Sequence, residues 1–549
     1  MLLFHHGNDL EALRLLAAHR LAQSPPAPLQ PEYLVVPNGG MAKWFRRGVA
    51  ATQGIAADLS CDSPAVFLRR IAAIVHGGMA EPQGPWSKDL LTIRLMVLLP
   101  GMLREPGFAP IAAYLADTRD PRRLLALSRQ LASLFDQYLI WRADWILDWE
   151  RGLPGQGDPA RDNPWQPVLW RALSAAVMAA HPGARHPAAM IEGLCERLTR
   201  GAPPSGLPER VTAFGLGALP PGLLSVLRAL GEHLDVQVFQ FNPCQEFWAD
   251  VQSERTLAQW RLHAPERALY AESGNALLAS WGRLGAAQLG MLLDADVPLE
   301  FHFREPHEDT LLGRIQQDIL CLRESTGSGP LTPDGSLLFA ETHSRLREVE
   351  ALHDALLDMI ERFPGLTPRD IVVMAPDIAP YAPHVEAVFG ELRNDPRFLP
   401  FSISDRSSLA EEPLTRSFLH LLSLPRSRFS ASEVLGLLAV PAIGECAGFT
   451  PADIESLHEL VMRSGVRWGY DDKGSAGEGP ALGRNTWRFG LERLLLGVAL
   501  DDGTLFDGVA PVGVNGAAEA EQVGRLAALM PAIMEVAALS EEASTTKDT

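Results

Sequence analysis

The sequence predicts an α/β protein made of parallel-sheet lobes with large helical insertions. Three observations carry this. Short apolar runs bounded by turn residues alternate with helix-period segments near the N-terminus. A block with helical spacing, about residues 64 to 200, then interrupts the alternation. After a Gly/Pro-rich stretch the strand–helix pattern begins again near residue 337.

Element by element, Leu2–His5 reads as a strand, and Asn8 can cap a helix carrying Leu10, Leu13, Leu15 and Leu16. Tyr33–Val36 reads as a second buried strand. An Asn38-Gly39-Gly40 turn and a helix over Met41–Ala51 follow it. Strand–turn–helix units imply a parallel sheet. Val211–Leu216 and Val236–Phe241 return to strand character, with the helix Pro221–His233 between them, and would rejoin the first sheet. Residues 1–322 therefore form one expected lobe, with the helical block inserted at about 64–200. Residues 323–336 (RESTGSGPLTPDGS) read as a linker. The second expected lobe, 337–549, opens on a strand over Ser336–Glu341. The helix Arg345–Phe363 comes next, with Val349, Leu352, Leu356, Met359 and Phe363 on one face, and then a strand over Asp370–Met374. From about 412 the pattern is helical, and the tail after Ala538 is polar.

Composition narrows the class. The chain has 549 residues, 47% hydrophobic and 21% charged, enough for three to four domains of an ordinary globular protein. The longest apolar stretch, around Leu90–Met102, is cut by Arg94 and Pro100, so no membrane span is expected. The opening MLLFHHGND shows neither a basic nor a long apolar region, so no secretory signal is expected. Five cysteines lie far apart without a CxxC, which speaks against disulfides and a zinc ribbon and for buried reduced thiols in the cytoplasm. The formal net charge of −19 excludes a chain-wide basic footprint. A locally basic channel stays compatible with it, because charge acts strongly only within about a Debye length. Only Lys43, Lys88, Lys473 and Lys547 of the 48 basic residues are lysine. GC-rich coding explains that skew, while arginine forks also suit phosphate.

A two-lobed α/β chain with helical insertions suggests a helicase-type motor, and the absent residues are informative. Such a motor needs GxxxxGK[ST] after its first strand. Here that strand runs into His5-His6-Gly7-Asn8-Asp9-Leu10-Glu11, with one glycine, no lysine and two carboxylates. It also needs acidic residues ending a core strand to hold magnesium. Val211–Leu216 ends instead in Gly217-Ala218-Leu219-Pro220-Pro221. The expected fold is therefore a degenerate helicase-like, P-loop-type one, with no active site, cofactor or metal of its own. Asp471-Asp472-Lys473 spells (D/E)xK, but in a Gly-rich loop without a partner carboxylate, so it reads as solvated loop. No GxSxG elbow is present. His302/His307 and His181/His186 are off the helical i, i+4 spacing for a metal, and His5-His6 cannot share a strand face. All fifteen histidines read as structural or surface residues.

Several signals keep two readings. Trp141, Trp145 and Trp149 recur every fourth residue on one helix face, with Trp165 and Trp170 close behind. They fit a base-stacking platform or a helical core. Asp136, Gln137 and Arg142, in LFDQYLIWR, could touch base edges and phosphates or form a surface ion-pair ladder. Lys43, Arg46 and Arg47 make a small basic patch or a solvated helix face. His343–Arg347 could meet phosphate at a helix start.

Eleven collinear stretches carry a resemblance: PNGGMAKW (37–44), LFDQYLIWR (134–142), WQPVLW (165–170), ALPP (218–221), NPC (242–244), NALLASWGRL (275–284), REVEALHD (347–354), LTPRDIVVM (366–374), ISDR (403–406), VRWG (466–469) and NTWRFGLERLLL (485–496). Together they resemble the RecC family, the gamma subunits of exodeoxyribonuclease V (RecBCD). Family chains run about as long again, so this sequence resembles an N-terminal portion: a first helicase-like lobe and part of a second. The resemblance implies a non-catalytic DNA-binding subunit for double-strand break repair by homologous recombination. Such a subunit guides separated strands and scans the 3′-ended strand for Chi. The implied partners are double-stranded DNA ends, single-stranded DNA, and RecB-like and RecD-like subunits in a heterotrimer that supply ATP hydrolysis and cutting. It also implies that Asn38, Lys43, Arg69, Asp136, Gln137 and Arg142 lie along the strand channel. Asp136 and Arg142 match the family pattern. Pro37, Gly39 and Lys43 stand where polar amides or hydroxyls are usual, and Arg69 where an aromatic is usual, which implies more phosphate grip and less base reading. The competing readings are an autonomous ATP-dependent helicase or nuclease, and an assembly scaffold without DNA contact.

Overall fold

The computed structural model describes the chain save residues 26–29, 77–83, 117–120, 154–162, 202–203, 270, 307–308, 325–332, 392–394, 396, 405–411, 425–426, 472–482, 502 and 546–549. His307, Asp472, Lys473 and most of the expected linker lie outside the described residues. The chain forms two compact units, Met1–Leu338 and Phe339–Thr549.

The first unit begins with β1 (Leu2–Gly7), α1 (Leu10–Gln23), β2 (Glu32–Val35), α2 (Gly39–Gln53) and β3 (Leu59–Asp62). The inserted helices follow: α3 (Pro64–His76), α4 (Lys88–Met102), α5 (Ala109–Tyr114), α6 (Pro121–Trp141), α7 (Ala143–Arg151), α8 (Trp165–Ala180) and α9 (Pro187–Thr199). Then come β4 (Arg210–Phe214), α10 (Pro221–Gly231), β5 (Asp235–Phe241), α11 (Glu254–His263), α12 (Pro265–Ala268), α13 (Ala276–Trp281), α14 (Arg283–Asp294), β6 (Leu299–Phe301) and α15 (Leu311–Leu320). The six strands pair in the order β3-β2-β4-β5-β1-β6, every pairing parallel. The fold is thus mixed α/β, with a parallel sheet and many helices.

Parallel sheets need cover on both faces, and the pleat alternation supplies two apolar faces. Leu34, Phe214 and Phe239 pack with Leu13 and Ala17 of α1 and Phe45 and Val49 of α2. Phe4, Val35, Ala213, Val236 and Val238 face the other way, toward Phe67, Leu194, Leu223, Leu227 and Leu292 of α3, α9, α10 and α14. The inserted helices bury their own core around Leu91, Leu95, Phe135, Trp149 and Trp170.

Four expectations are corrected. Asp9, not Asn8, caps α1, and the two glycines after Asn38 form the first turn of α2, with Asn38 as its cap. The edge strands β3 and β6 escape the sequence reading because four and three residues carry too little pattern. Trp141, Trp145 and Trp149 do not share one helix, because α6 ends at Trp141 and α7 begins at Ala143. Trp149 and Trp170 belong to the core, whereas Trp141 is exposed. The thiols are not all buried: Cys446 is exposed, while burial pushes Cys195 and Cys244 up to about 11. All five cysteines are unpaired. Among the described residues no helix is long and apolar enough to cross a membrane.

The second unit departs furthest from expectation. Helix α16 (Arg345–Arg362) packs on α17 (Ala382–Gly390) through Val349, Leu356 and Phe389. Further helices, Ala431–Leu438, Pro451–Ser464, Trp487–Ala499 and Gly516–Thr545, enclose Leu457, Val461, Trp487, Leu526 and Met530. The expected strands Ser336–Glu341 and Asp370–Met374 form no ladder, and Pro368–Asp370 is a 3-10 turn closed by Thr367. Phe339 is 94% exposed and Met374 88%. A strand needs a neighbour's N–H and C=O groups and a covered face. Among the described residues, neither segment has them.

Candidate nucleic-acid interface

In a P-loop sheet the phosphate site is the open N-terminus of the helix after the first strand, where unpaired N–H groups and the helix dipole face an anion. Here side chains close that position. The Asp9 Oδ1 accepts from the Ala12 N–H at 3.0 Å, placing a carboxylate at the start of α1. Arg304 donates to Asp9 Oδ2 at 3.1 Å. Asn8 and Arg304 exchange two further hydrogen bonds, of 2.8 and 2.9 Å. The single glycine of the motif has a different cause. A Cβ on Gly7 would come within 2.6 Å of the His302 carbonyl oxygen, so glycine is required by the backbone leaving β6. Beyond β4 the chain turns through Gly215, at φ +65°, and offers Leu216-Gly217-Ala218-Leu219 without a carboxylate.

The residues proposed for the strand channel fall into two groups. Asn38 and Lys43 lie exposed at the start of α2, and the Asn38 Oδ1 accepts from the Met41 N–H at 2.9 Å. Of their basic neighbours, Arg46 donates to the Leu59 carbonyl at 2.7 Å and Arg47 is exposed. Arg69 is half-buried on α3, beside an Arg70 held by Asp62 at 2.8 Å. Asp136 and Gln137 lie near the end of α6, the first half-buried and the second exposed. Burial raises the Asp136 carboxyl above its ordinary range, against the pull of Lys88. Arg142 follows α6 directly. Its guanidinium donates to both Asp144 oxygens, at 3.0 and 2.7 Å, and lies 3.6 Å over the Trp145 ring. That places its fork on a carboxylate, the ion-pair half of the sequence expectation. At the start of α16, Ser344 caps the helix and Arg347 pairs with Glu350 at 3.1 Å, so the His343–Arg347 stretch meets its own side chains.

Sequence spacing hid one polar cluster. His5 of β1 and Glu300 of β6 are register neighbours, and His302 follows. Their ligand-type atoms lie 3.1 to 3.6 Å apart. His5 Nε2 donates to Gln237 Oε1 at 2.7 Å, which leaves Nδ1 as a lone pair facing His302 and Glu300. Among the described residues this is the group that could hold a metal. Arg20, however, sits on the same Glu300 oxygen at 3.2 Å and supplies the positive charge a cation would bring. The cluster is legible only from strand order, which brings residues 5 and 300 together.

Fold and helix start together define a class: a mixed α/β protein with a six-stranded parallel sheet, whose first helix start is capped by its own side chains. Residues 2–322 match the family model of the RecC N-terminal domain, and residues 411–548 match that of the fourth domain of the RecBCD enzyme subunit RecC. The chain belongs to the RecC family. It is 37% identical to the RecBCD enzyme subunit RecC of Escherichia coli (strain K12), over 96% of this chain and 51% of the relative. The Haemophilus influenzae subunit is 33% identical over 91% of this chain and 49% of the relative, and that of Mycolicibacterium smegmatis 30% over 90% and 46%. The chain spans about half the length of the curated relatives it matches.

Proposed function

We infer that this chain works as a non-catalytic DNA-handling part of a RecBCD-type helicase–nuclease, guiding separated strands and scanning the 3′-ended strand for Chi while RecB-like and RecD-like partners supply ATP hydrolysis and cutting. Its lobes are helicase-like in descent and have lost the motor. The observation that carries this is the Asp9 cap. An anionic side chain caps the helix start that a nucleotide phosphate would need, and Arg304 pairs with it. Family membership supports the DNA-repair setting.

The test is ATP turnover by the purified chain with and without single-stranded DNA. No DNA-stimulated turnover is expected; robust turnover abolished by Asp9→Ala would overturn the reading. A second reading, an assembly scaffold without DNA contact, is favoured by the capture of Arg142 by Asp144 and by the net charge of −19. Crosslinking a DNA end to the assembled complex separates the two. Adducts within residues 38–142 support the channel, and their absence supports the scaffold.

A further inference from the structure

At the carboxyl ends of β1, β4 and β5 the first unit holds a half-open cavity of about 390 Å³. It lies outside all the residues placed in the strand channel, and ligand sites of open parallel sheets form at this edge. Its size is that of a small-molecule site and many times the space of one water.

The walls are aromatic and aliphatic. Trp248, Trp281 and Phe241 line them with Leu278 and Leu289. Gly282 and Gly285 make room for the Trp248 ring, since a Cβ at either would come within 2.8 or 2.7 Å of it. Trp281 is 79% exposed, so its ring is available at the mouth.

The polar lining is the informative part. His6, Gln240 and Gln288 are only 3%, 7% and 5% exposed, and each carries a buried polar atom without a partner: His6 Nε2, Gln240 Oε1 and Gln288 Nε2. His6 and Gln240 are register partners on adjacent strands, so their side chains share one face of the sheet. Their hydrogen-bonding sense is set by the surroundings. Asn242 Oδ1 accepts from the Trp248 indole at 3.0 Å and from the Cys244 N–H at 3.2 Å, so its Nδ2 is the atom donating to His6 Nδ1, at 3.3 Å. His6 Nε2 therefore carries the hydrogen and is a donor. Burial holds the ring neutral, with its pKa lowered to about 4. Gln288 Oε1 accepts from the Leu219 N–H at 3.3 Å, which leaves Nε2 as a second donor. Gln240 Oε1 is an acceptor.

We propose that this cavity is a nucleobase pocket, in which Trp281 and Phe241 stack on a flat ring and His6, Gln240 and Gln288 pair with its edge. A nucleobase is planar and offers both acceptors and N–H donors on one rim, which matches two donors and an acceptor under aromatic walls. A charged ligand is disfavoured, because the three polar groups are neutral. The base can come from an unstacked nucleotide of a single strand or from a free nucleoside. The strand source rests on the DNA-handling reading above; the pocket itself does not.

The test uses the full chain. A short oligothymidylate carrying one 5-iodouracil is photo-crosslinked and the adduct mapped by mass spectrometry. Free nucleosides are titrated by calorimetry, and an abasic oligonucleotide of equal length serves as control. The expected adduct is at Trp281 or Phe241. Trp281→Ala, an exposed and fold-neutral change, should weaken oligonucleotide binding about tenfold, within the range for losing one stacked base. It should leave the salt dependence unchanged, because no phosphate contact is lost. Gln288→Leu should weaken binding to the base-bearing strand and not to the abasic one. Binding of nucleosides with no adduct from the strand keeps the pocket and removes its strand source. Adducts only within residues 38–142, with no nucleoside binding, leave the DNA reading standing and overturn the pocket. No nucleoside binding and no adduct within 240–292 also overturns it.

Discussion

Two apolar, β-branched stretches of this chain meet opposite fates. Val211–Phe214 of β4 lies between β2 and β5, with Phe214 against Phe45 and Phe239. Ile371–Met374 has the same kind of side chains, yet forms no strand and leaves Val372, Val373 and Met374 exposed. The difference is company. Val211, Thr212 and Ala213 have register partners on both β2 and β5 and helices on both faces, whereas among the described residues the 371–374 segment finds no ladder. Strand propensity measures fitness for a half-buried pleated surface, and it takes effect only where the surface exists.

The largest expected effect tests the paired side of this contrast. Phe214→Ala should destabilise the first unit by about 3–5 kcal/mol, the usual cost of emptying a packed aromatic site. Hydrogen exchange should then rise across β2, β4 and β5. An unchanged exchange profile would mean that the sheet does not depend on this contact. Next comes Gly7→Ala. The added methyl meets the His302 carbonyl, so β6 must shift at a cost of about 1–3 kcal/mol. Exchange at Leu299–Phe301 should quicken while β4 stays protected. If both stay the same, β6 yields freely.

Removing the α1 cap is smaller. Asp9→Ala should cost about 1 kcal/mol in chemical denaturation, since it strips one helix-start acceptor. Acid offers a different probe, through Glu150 in the inserted helices. Burial would raise that carboxyl. The hydrogen bonds from His186, Ser174 and Trp170 outweigh burial and hold it below its ordinary range. A depressed carboxyl stabilises the fold above its unfolded value, near pH 4.5, and loses that contribution as pH falls through the folded value. The melting temperature of the insertion should therefore drop below about pH 4.5. Glu150→Gln should flatten that drop; an equal slope in the variant would rule Glu150 out. The smallest effect falls on the unpaired side. Val372→Thr should move stability by less than about 0.5 kcal/mol, because the side chain is already in water. A larger loss would reveal a ladder partner for this segment.

Much of the fold was legible in local pattern. β1, β2, β4 and β5 each carry a run of apolar residues beside a turn, and α1, α2, α10 and α16 show helical spacing. The failures share a cause. β3 and β6 are held by edge pairing, not by their own residues. The two missing strands have the residues without the neighbours. At the candidate site, the residues that cap the first helix were readable at Gly7-Asn8-Asp9. What fills the corner was not, because Arg304 lies 295 residues from Asp9. Arg142 kept two readings, a phosphate or base contact and a surface ion pair, because the sequence does not show that the helix breaks there and brings Asp144 to its guanidinium.

By itself the sequence determined which segments could be strands or helices, which residue motifs it does and does not spell, and the family to which the chain belongs. Those properties are local or additive, so neighbours along the chain suffice to decide them. The tertiary structure alone decided strand order, the closing of the α1 start from residue 304, and the gathering of His6, Gln240 and Gln288 around one hollow. These depend on which distant segments the parallel crossovers bring side by side, and no short-range rule carries that information.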